Sequence, residues 1–350
     1  MIDLNDKNAI ATIDKSNLRQ VIIDFPDQFA EGLKIGKNIK LEGRFDSVTV
    51  SGMGGSAIPA NLFKIYCNNL LKSYPNYKHF EIYINRYYSL PPGSYSSRTL
   101  NLISSYSGNT EETISSLEEA NTSNMPFIGL SSGGKVEELC NKYGAPHISL
   151  PIPSPTFQPR MGTGYFFGAI LQVLINHDLL PDVSQEVISL CEKLKIDTEK
   201  LESEGKILAK KIMGKTPVIY ASPKYKSVAM IWKIKINENS KTPAFWNFFP
   251  ELNHNEMVGF TNPQGKFFIV MLKDPLDTIR NRKRYEATAS LLSIKGIESE
   301  ILNMQGNSVF EKIFSSIALA DWTSYYLALA YGQDPTPVDM VENFKKIISS

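Results

Sequence analysis

Short apolar runs alternate with longer amphipathic stretches through the first half of the chain. The run Ser47–Ser51 predicts a buried strand, and the stretch Ala57–Leu71 has apolar residues at helical spacing. The same alternation continues to residue 150, through the strand-like runs Phe80–Asn85, 102–105, Met125–Leu130 and His147–Leu150. Strands that alternate with helices predict a parallel sheet covered on both faces.

A proline-rich segment, Pro151–Pro159, interrupts this rhythm, which restarts at Thr216 after a largely helical stretch. Further strand-like runs follow at 216–222, 266–272 and 298–302, with helical patterns at 225–237, 279–294, 309–330 and 338–348. The pattern predicts two α/β domains, each a doubly wound parallel sheet. We place their boundary between residues 175 and 176, which gives a domain 1–175 with an N-terminal extension and a domain 176–350.

Composition excludes several classes of protein. The 37 basic and 36 acidic side chains nearly cancel, which argues against bulk attraction to nucleic acid or to an anionic membrane. Three separated cysteines, Cys67, Cys140 and Cys191, predict free thiols in a reducing compartment and no metal site. The N-terminus lacks the layout of a signal peptide, and no run approaches the roughly eighteen apolar residues of a membrane span. We therefore expect a cytoplasmic protein.

Hydroxyl side chains cluster where the run 102–105 ends. Gly108 breaks the predicted strand, and Thr110 opens a helix with two glutamates in its first turn. The junction brings Ser105, Ser107 and Thr110 beside unpaired helix N–H groups, an environment that suits a phosphate. A serine-rich turn with an ordinary helix cap has the same composition, so capping alone is the alternative.

Another turn at a strand end, Gly52–Ser56, reads Gly-Met-Gly-Gly-Ser and frees backbone N–H groups for close approach to a ligand. It lacks the third glycine of the dinucleotide fingerprint, and neither turn has the lysine of a P-loop. The two turns therefore favour a small phosphate ester over a nucleotide. Arg160, just after the proline-rich segment, is either an ordinary surface arginine or a cation that holds charge developing on a substrate.

The densest polar cluster lies between residues 236 and 259. Glu238 is at the end of a predicted helix, and His254 follows sixteen residues later between two asparagines. A carboxylate and an imidazole are the usual pair for moving protons. Glu251 and Glu256 are competing carboxylates, and we interpret the remaining histidines, His79, His147 and His177, as structural.

Together these motifs resemble the SIS (sugar isomerase) family, and within it the bifunctional phosphoglucose/phosphomannose isomerases. The resemblance covers nearly the whole chain and rests on Ser51–Ser56, Ser105–Thr113, Gln158–Arg160, Asn237–Asn239, Pro250–Asn255 and Asp334–Val338. It implies two SIS-type, flavodoxin-like domains. The implied activity is aldose–ketose isomerisation of glucose 6-phosphate and fructose 6-phosphate, and of mannose 6-phosphate, through a cis-enediolate. The implied partners are sugar 6-phosphates and a second copy in a homodimer, with no cofactor, metal, nucleic acid or membrane.

The resemblance also implies a role for each candidate residue. The phosphate would bind Ser105, Ser107 and Thr110, and the sugar would lie beside Gly54, Gly55 and Ser56. The catalytic set would be Glu238 as the base, Arg160 on the enediolate, His254 from the neighbouring subunit as the ring opener, and Lys345 from a C-terminal helix that returns to the active site. Lys346 is the alternative lysine, and the region around Thr336 receives no role.

The chemistry fits these residues without the resemblance, because isomerisation needs one base, a stabilised enediolate and a ring opener. We expect an enzyme of carbohydrate metabolism, in glycolysis or gluconeogenesis. The alternatives are another SIS activity, such as an amino-sugar phosphate isomerase, and a sensor that binds phosphosugars without turnover. A sensor would have a DNA-binding module or lack the base, whereas this sequence has no basic helix-turn-helix candidate and retains Glu238 and His254.

Overall fold

The computed structural model describes residues 3–348, which form two compact units. The five-stranded unit comprises residues 24–195, and the four-stranded unit comprises residues 3–23 together with 196–348. The strands are β1 Ser47–Ser51, β2 Glu81–Asn85, β3 Thr99–Ser104, β4 Phe127–Ser131, β5 His147–Ser149, β6 Thr216–Ala221, β7 Phe245–Phe248, β8 Phe267–Lys273 and β9 Glu298–Asn303. The α-helices are α1 Lys7–Ile13, α2 Leu18–Ile23, α3 Asp27–Gly36, α4 Gly54–Ser73, α5 Glu111–Thr122, α6 Gly134–Tyr143, α7 Thr163–Asn176, α8 Ser184–Ile196, α9 Thr198–Ile212, α10 Lys226–Ser240, α11 Glu256–Gly259, α12 Ile279–Ile294, α13 Val309–Ala330 and α14 Asp339–Ile348.

The five-stranded sheet has the order β2-β1-β3-β4-β5, and each pair of neighbours is parallel. This is the flavodoxin-like order, in which connections from the central strands leave in opposite directions. Every residue of β3 is buried, as the apolar run in the sequence predicts. Beside the sheet, α3 packs on α7 through aromatic contacts such as Phe29–Phe167, whose ring centroids are 5.8 Å apart.

The four-stranded sheet is also parallel throughout, in the order β7-β6-β8-β9. This order repeats that of β2-β1-β3-β4, so the two units share their central topology. Helix α13 is buried along almost its whole length and packs against α9 and α10. The prediction of two doubly wound, parallel α/β sheets is confirmed.

The N-terminal residues belong to the four-stranded unit because polar contacts attach them to it. The Asp14 carboxylate accepts hydrogen bonds from the Leu18 amide at 2.7 Å and from the Tyr325 hydroxyl at 3.0 Å. Arg19 forms a two-pronged ion pair with Glu202, at 2.8 and 2.7 Å. The compact units therefore divide at residues 23/24 and 195/196, whereas the sequence pattern places one boundary at 175/176.

One strand lies outside the strand-like runs that the sequence predicts. Phe245–Phe248 forms β7, the edge strand that pairs with β6. None of its four residues is fully buried, so it lacks the apolar signature that predicts the central strands. Among residues 3–348, no helix is long and apolar enough to cross a membrane.

Candidate active site

The turn between β3 and α5 holds the predicted hydroxyl cluster. Ser105 is fully buried, and its Oγ lies 2.9 Å from the Oγ1 of Thr110, the residue that precedes α5. Thr110 makes no side-chain cap of that helix. Ser107, in contrast, is exposed, and its Oγ accepts a hydrogen bond from the Asn109 amide at 3.3 Å. The turn therefore offers two paired hydroxyls and one exposed hydroxyl at a helix N-terminus without a side-chain cap, which suits an anion.

Glycine is required at the centre of this turn. Gly108 has a φ of +71°, and a Cβ at this position would lie 1.8 Å from the Gly133 carbonyl oxygen. Only a residue without a side chain fits this left-handed and crowded position. Gly108 thus allows the chain to pass directly from β3 into α5.

The Gly52–Ser56 turn is joined to this cluster by hydrogen bonds. The Tyr106 amide donates to Ser56 Oγ at 2.9 Å, and Ser104 Oγ donates to the Ser56 carbonyl at 2.9 Å. Gly54 and Gly55 form the first turn of α4, which also lacks a side-chain cap. Gly54 is exposed, whereas Gly55 and Ser56 are buried. The sequence predicts all three as ligand neighbours, and the structure brings them next to the hydroxyl turn.

Arg160 lies in a short 3₁₀ turn, Pro159–Met161, and is almost completely buried, with 1% of its surface exposed. It is not the surface arginine of the alternative interpretation. Its Nη1 donates to Gln158 Oε1 at 3.4 Å, and its backbone packs against Gly55, where a Cβ would approach the Arg160 amide nitrogen to 2.4 Å. Gln158 was not among the predicted site residues. Its position two residues before Arg160 was the signal that could have identified it as a partner of that arginine.

Glu238 lies in the last turn of α10 and is half-buried. Lys241, which follows the helix in a left-handed conformation, donates to the Glu238 carbonyl at 2.6 Å and to the Pro335 carbonyl at 3.2 Å. A lysine at this position satisfies carbonyl groups that a helix C-terminus leaves without intrahelical partners. Lys241 is a second residue that sequence reasoning missed, and it connects the turn that carries Glu238 to the segment before α14.

The two competing carboxylates, Glu251 and Glu256, form different contacts in the structure. Glu256 is tied to its own unit, because its carboxylate accepts from the Tyr220 hydroxyl at 2.5 Å and from the Asn247 amide group. Glu251 is exposed and accepts from Asn255 Nδ2 at 2.6 Å. These contacts favour structural roles for both. His254 ends the short turn Glu251–His254 with its side chain exposed.

Lys345 lies on α14, whose residues are all exposed, and its Nζ is 2.7 Å from Glu342 Oε1. In the structure, Ser105, Thr110, Ser56, Gly55 and Arg160 are thus gathered within the five-stranded unit. Glu238, His254 and Lys345 lie on three separate elements of the four-stranded unit.

Two of the histidines that we interpret as structural have buried side chains with hydrogen bonds. His177 Nδ1 donates to the Val173 carbonyl at 2.7 Å, and its Nε2 accepts from the Leu41 amide at 2.9 Å. Burial lowers the pKa of His177, which favours this neutral form. His147 Nε2 lies 2.7 Å from Ser131 Oγ, and burial likewise lowers its pKa.

Strand β8 has the same place in the four-stranded sheet as β3 has in the five-stranded sheet. The Asp274 carboxylate follows β8 and binds Lys312 at 2.6 Å, with Lys224 at 3.7 Å. Burial opposes ionisation of Asp274, but the lysines and the Leu276 amide lower its pKa below the ordinary value. An acidic side chain therefore stands where the five-stranded sheet has hydroxyl groups.

Comparison with known proteins decides the family. Residues 201–348 match the model of the bacterial phospho-glucose isomerase C-terminal SIS domain. The chain is 36% identical over 340 residues to a bifunctional phosphoglucose/phosphomannose isomerase of Caldicellulosiruptor bescii, covering 93% of this chain and 96% of that protein. The chain belongs to the bifunctional phosphoglucose/phosphomannose isomerase family. A member of this family from Aquifex aeolicus is 33% identical, over 93% of this chain and 97% of its own.

Other similarities extend beyond this family. A D-glucosamine-6-phosphate 4-epimerase of Sulfolobus acidocaldarius is 29% identical, over 81% of this chain and 83% of its own. Among solved structures, a hypothetical protein of Thermus thermophilus superimposes with a TM-score of 0.72 at 14% identity, covering 98% of this chain and 92% of that one. The structural likeness supports the fold, and the family assignment rests on the sequence matches.

Proposed function

We propose that this chain is an isomerase that interconverts glucose 6-phosphate and fructose 6-phosphate, and also mannose 6-phosphate and fructose 6-phosphate. The observation that carries the proposal is the match along 93% of the chain to a protein named as a bifunctional phosphoglucose/phosphomannose isomerase. The polar residues that this chemistry needs are all present in the sequence.

The β3–α5 turn is the proposed phosphate site. Ser105 and Thr110 present hydroxyls 2.9 Å apart at the start of α5, and the exposed Ser107 adds a third. Hydroxyl donors and the positive end of a helix together favour a phosphate dianion. Gly54, Gly55 and Ser56 offer backbone and hydroxyl groups to the sugar.

In the proposed mechanism, Glu238 removes the proton from C2 of the open-chain aldose and returns it to C1, while a proton passes from the hydroxyl oxygen O2 to O1. The intermediate enediolate bears negative charge on oxygen, and the Arg160 guanidinium, which stays charged at physiological pH, stabilises it. Because the enediolate is planar at C2, one carboxylate serves both epimers if rotation about C2–C3 presents either face to it. Glucose and mannose phosphates can therefore share one base.

His254 is the proposed ring opener, contributed to the site of a second copy in a homodimer. Its exposed side chain supports this role, because an exposed imidazole is accessible to another subunit. Lys345 is the proposed lysine from the C-terminal helix. The three buried free cysteines, Cys67, Cys140 and Cys191, support a reducing, cytoplasmic location.

The decisive experiment follows fructose 6-phosphate with purified, EDTA-treated protein and measures glucose 6-phosphate and mannose 6-phosphate separately. We expect both aldoses from the wild type and neither from Glu238→Gln, a loss of at least about 10³-fold because the base is removed. Glu251→Gln is the matched control, and it should retain nearly full activity.

A wild type that binds the sugar phosphate and yields neither aldose would contradict the proposal and favour a sensor. Glucose 6-phosphate as the sole product would restrict the activity to one epimer.

The second candidate is an activity on amino-sugar phosphates. It is favoured by the 29% identity to a D-glucosamine-6-phosphate 4-epimerase. Incubation with glucosamine 6-phosphate tests it, and turnover of that substrate at a higher kcat/KM than fructose 6-phosphate would replace the first proposal.

A further inference from the structure

A buried ion pair connects α10 to α13 one turn before Glu238. Lys235 Nζ lies 2.8 Å from Asp321 Oδ1, and both side chains are almost inaccessible, at 1% and 2% exposure. A buried ion pair loses the hydration of both charges, and an apolar pair of similar volume often gives an equal or higher stability. Stability is therefore a weak explanation for charges at this position.

Further polar contacts follow the same face of α10. Trp232 Nε1 donates to Ser316 Oγ at 3.0 Å, and Asn239 Nδ2 donates to Ser324 Oγ at 2.9 Å. Ser240 Oγ donates to the Ser324 carbonyl at 2.8 Å. With Lys235–Asp321, these bonds form a row along α10 that continues to its final residue.

This row determines the rotation of α10 about its own axis. Apolar contacts between helices tolerate small rotations, whereas a set of hydrogen bonds and an ion pair fixes one register. Glu238 is three residues after Lys235, so its side chain lies about 60° around the helix from the ion pair. Its direction is therefore set by the groups that α13 holds in place.

Helix α13 is a rigid support for this purpose. Asp321, Ser324 and Ser316 all lie within its buried length. Tyr325, another buried residue of α13, donates its hydroxyl to the Asp14 carboxylate at 3.0 Å. The residues of α13 that accept hydrogen bonds from α10 therefore belong to a helix that is itself fixed in the unit.

We infer that the Lys235–Asp321 ion pair is a positioning device for Glu238, which fixes the last turn of α10 so that the carboxylate is aimed at C1 and C2 of the substrate. This inference rests on the proposed function, in which Glu238 is the base. Neither Lys235 nor Asp321 takes part in the chemistry.

The test replaces both charges together, as Lys235→Met with Asp321→Leu, so that no buried charge is left without its partner. We expect kcat to fall by about 10²-fold, because a shift of roughly 1 Å in a catalytic group has an effect of that size. KM and the melting temperature should stay at or near the wild-type values. The primary isotope effect with glucose 6-phosphate deuterated at C2 should rise, because proton transfer becomes slower relative to the other steps.

The matched control is the other buried lysine–aspartate pair of this unit, Lys312–Asp274, at 5% and 3% exposure. It binds α13 to the end of β8 rather than to α10. Lys312→Met with Asp274→Leu should leave both kcat and the isotope effect unchanged. Lys235→Arg keeps the positive charge beside Asp321, and it should retain most of the wild-type kcat.

Wild-type kcat and isotope effect in the folded Lys235→Met/Asp321→Leu protein would overturn the inference. An equal loss of kcat in the Lys312–Asp274 control would also overturn it, because a general effect of buried charge would then suffice. Failure of the proposed function is distinguishable, since it appears as an inactive wild type or as an active Glu238→Gln protein.

Discussion

Gly55 acts at the scale of a single residue, through the side chain it lacks. Its Cα lies so close to the Pro159–Arg160 backbone that an added Cβ would be 2.4 Å from the Arg160 nitrogen and 2.6 Å from the Pro159 carbonyl carbon. Both neighbours are backbone atoms, which move less readily than the end of a side chain. The first turn of α4 therefore determines the position of the Arg160 backbone.

We predict that Gly55→Ala displaces the Arg160 turn, lowers kcat/KM for fructose 6-phosphate by about tenfold or more, and destabilises the protein by about 1–3 kcal/mol, the usual cost of overpacking. Gly265→Ala is the control, because a Cβ there would meet only Phe267 ring atoms, at 3.8 and 3.9 Å. Steady-state kinetics and chemical denaturation measure the two effects. Wild-type kinetics in Gly55→Ala would show that the contact does not position Arg160.

Individual residues also show which parts of the candidate site could be predicted from the sequence. The β3–α5 hydroxyl cluster was predictable because strand, glycine break and helix start follow one another along the chain. The contact that favours a structural role for Glu256 was not predictable, since the bond from Tyr220 to Glu256 joins residues 36 positions apart. Lys235 and Asp321 are separated by 86 positions (321 − 235) and lie in two helices with ordinary apolar patterns.

At the scale of elements, α14 has an apolar side that is exposed to solvent. The apolar residues on this side are Met340, Val341, Phe344, Ile347 and Ile348, which are 87%, 46%, 59%, 72% and 50% exposed. Helices with one apolar face normally bury it against another surface. At about 100° per residue, Lys345 borders this apolar face and Lys346 lies almost opposite to it.

When the apolar face of α14 packs against another protein surface, Lys345 at its border lies close to that surface, whereas Lys346 points away from it. We predict that Lys345→Met lowers kcat at least tenfold and that Lys346→Met leaves it within about twofold, because one exposed charge contributes little by itself. Parallel kinetics on both variants measure the difference. A larger loss in Lys346→Met would assign the role to the second lysine.

Strand β7 could not be predicted from the pattern of apolar residues along the chain. Its identity as a strand depends on pairing with β6, from Val218↔Phe245 to Ala221↔Phe248, and its own residues are only partly buried. An edge strand has a paired neighbour on one side only, and its other side leaves backbone groups without a strand partner. The central strands, buried on both faces, give the continuous apolar runs that made the fold class predictable.

At the scale of the whole molecule, residues 3–348 form two parallel sheets, of five and four strands, which share the order of four strands. The alternation of strands and helices made this duplication predictable. The assignment of residues 3–23 to the four-stranded unit was not predictable, because it depends on pairs such as Arg19–Glu202 that are distant in the sequence.

At this scale, the proposed homodimer predicts complementation between inactive variants. In a heterodimer of Glu238→Gln and His254→Ala chains, one site combines an intact Glu238 with an intact His254 if these residues come from different subunits. Random reassortment of equal amounts should then restore about a quarter of the wild-type activity, since half of the dimers are mixed and each has one intact site. Activity is measured after unfolding and refolding the two proteins together. No recovery in a confirmed heterodimer would place both residues in one subunit.

The Asp274 cluster distinguishes the end of β8 from the β3–α5 turn. The hydroxyl residues Ser105, Ser107 and Thr110 include no carboxylate, and an anion at this proposed phosphate site would come from solution. At the end of β8 the anion is part of the chain, because the Asp274 carboxylate balances Lys312 and Lys224. These two lysines therefore have a counterion of fixed position, whereas the proposed phosphate site depends on a dissolved one.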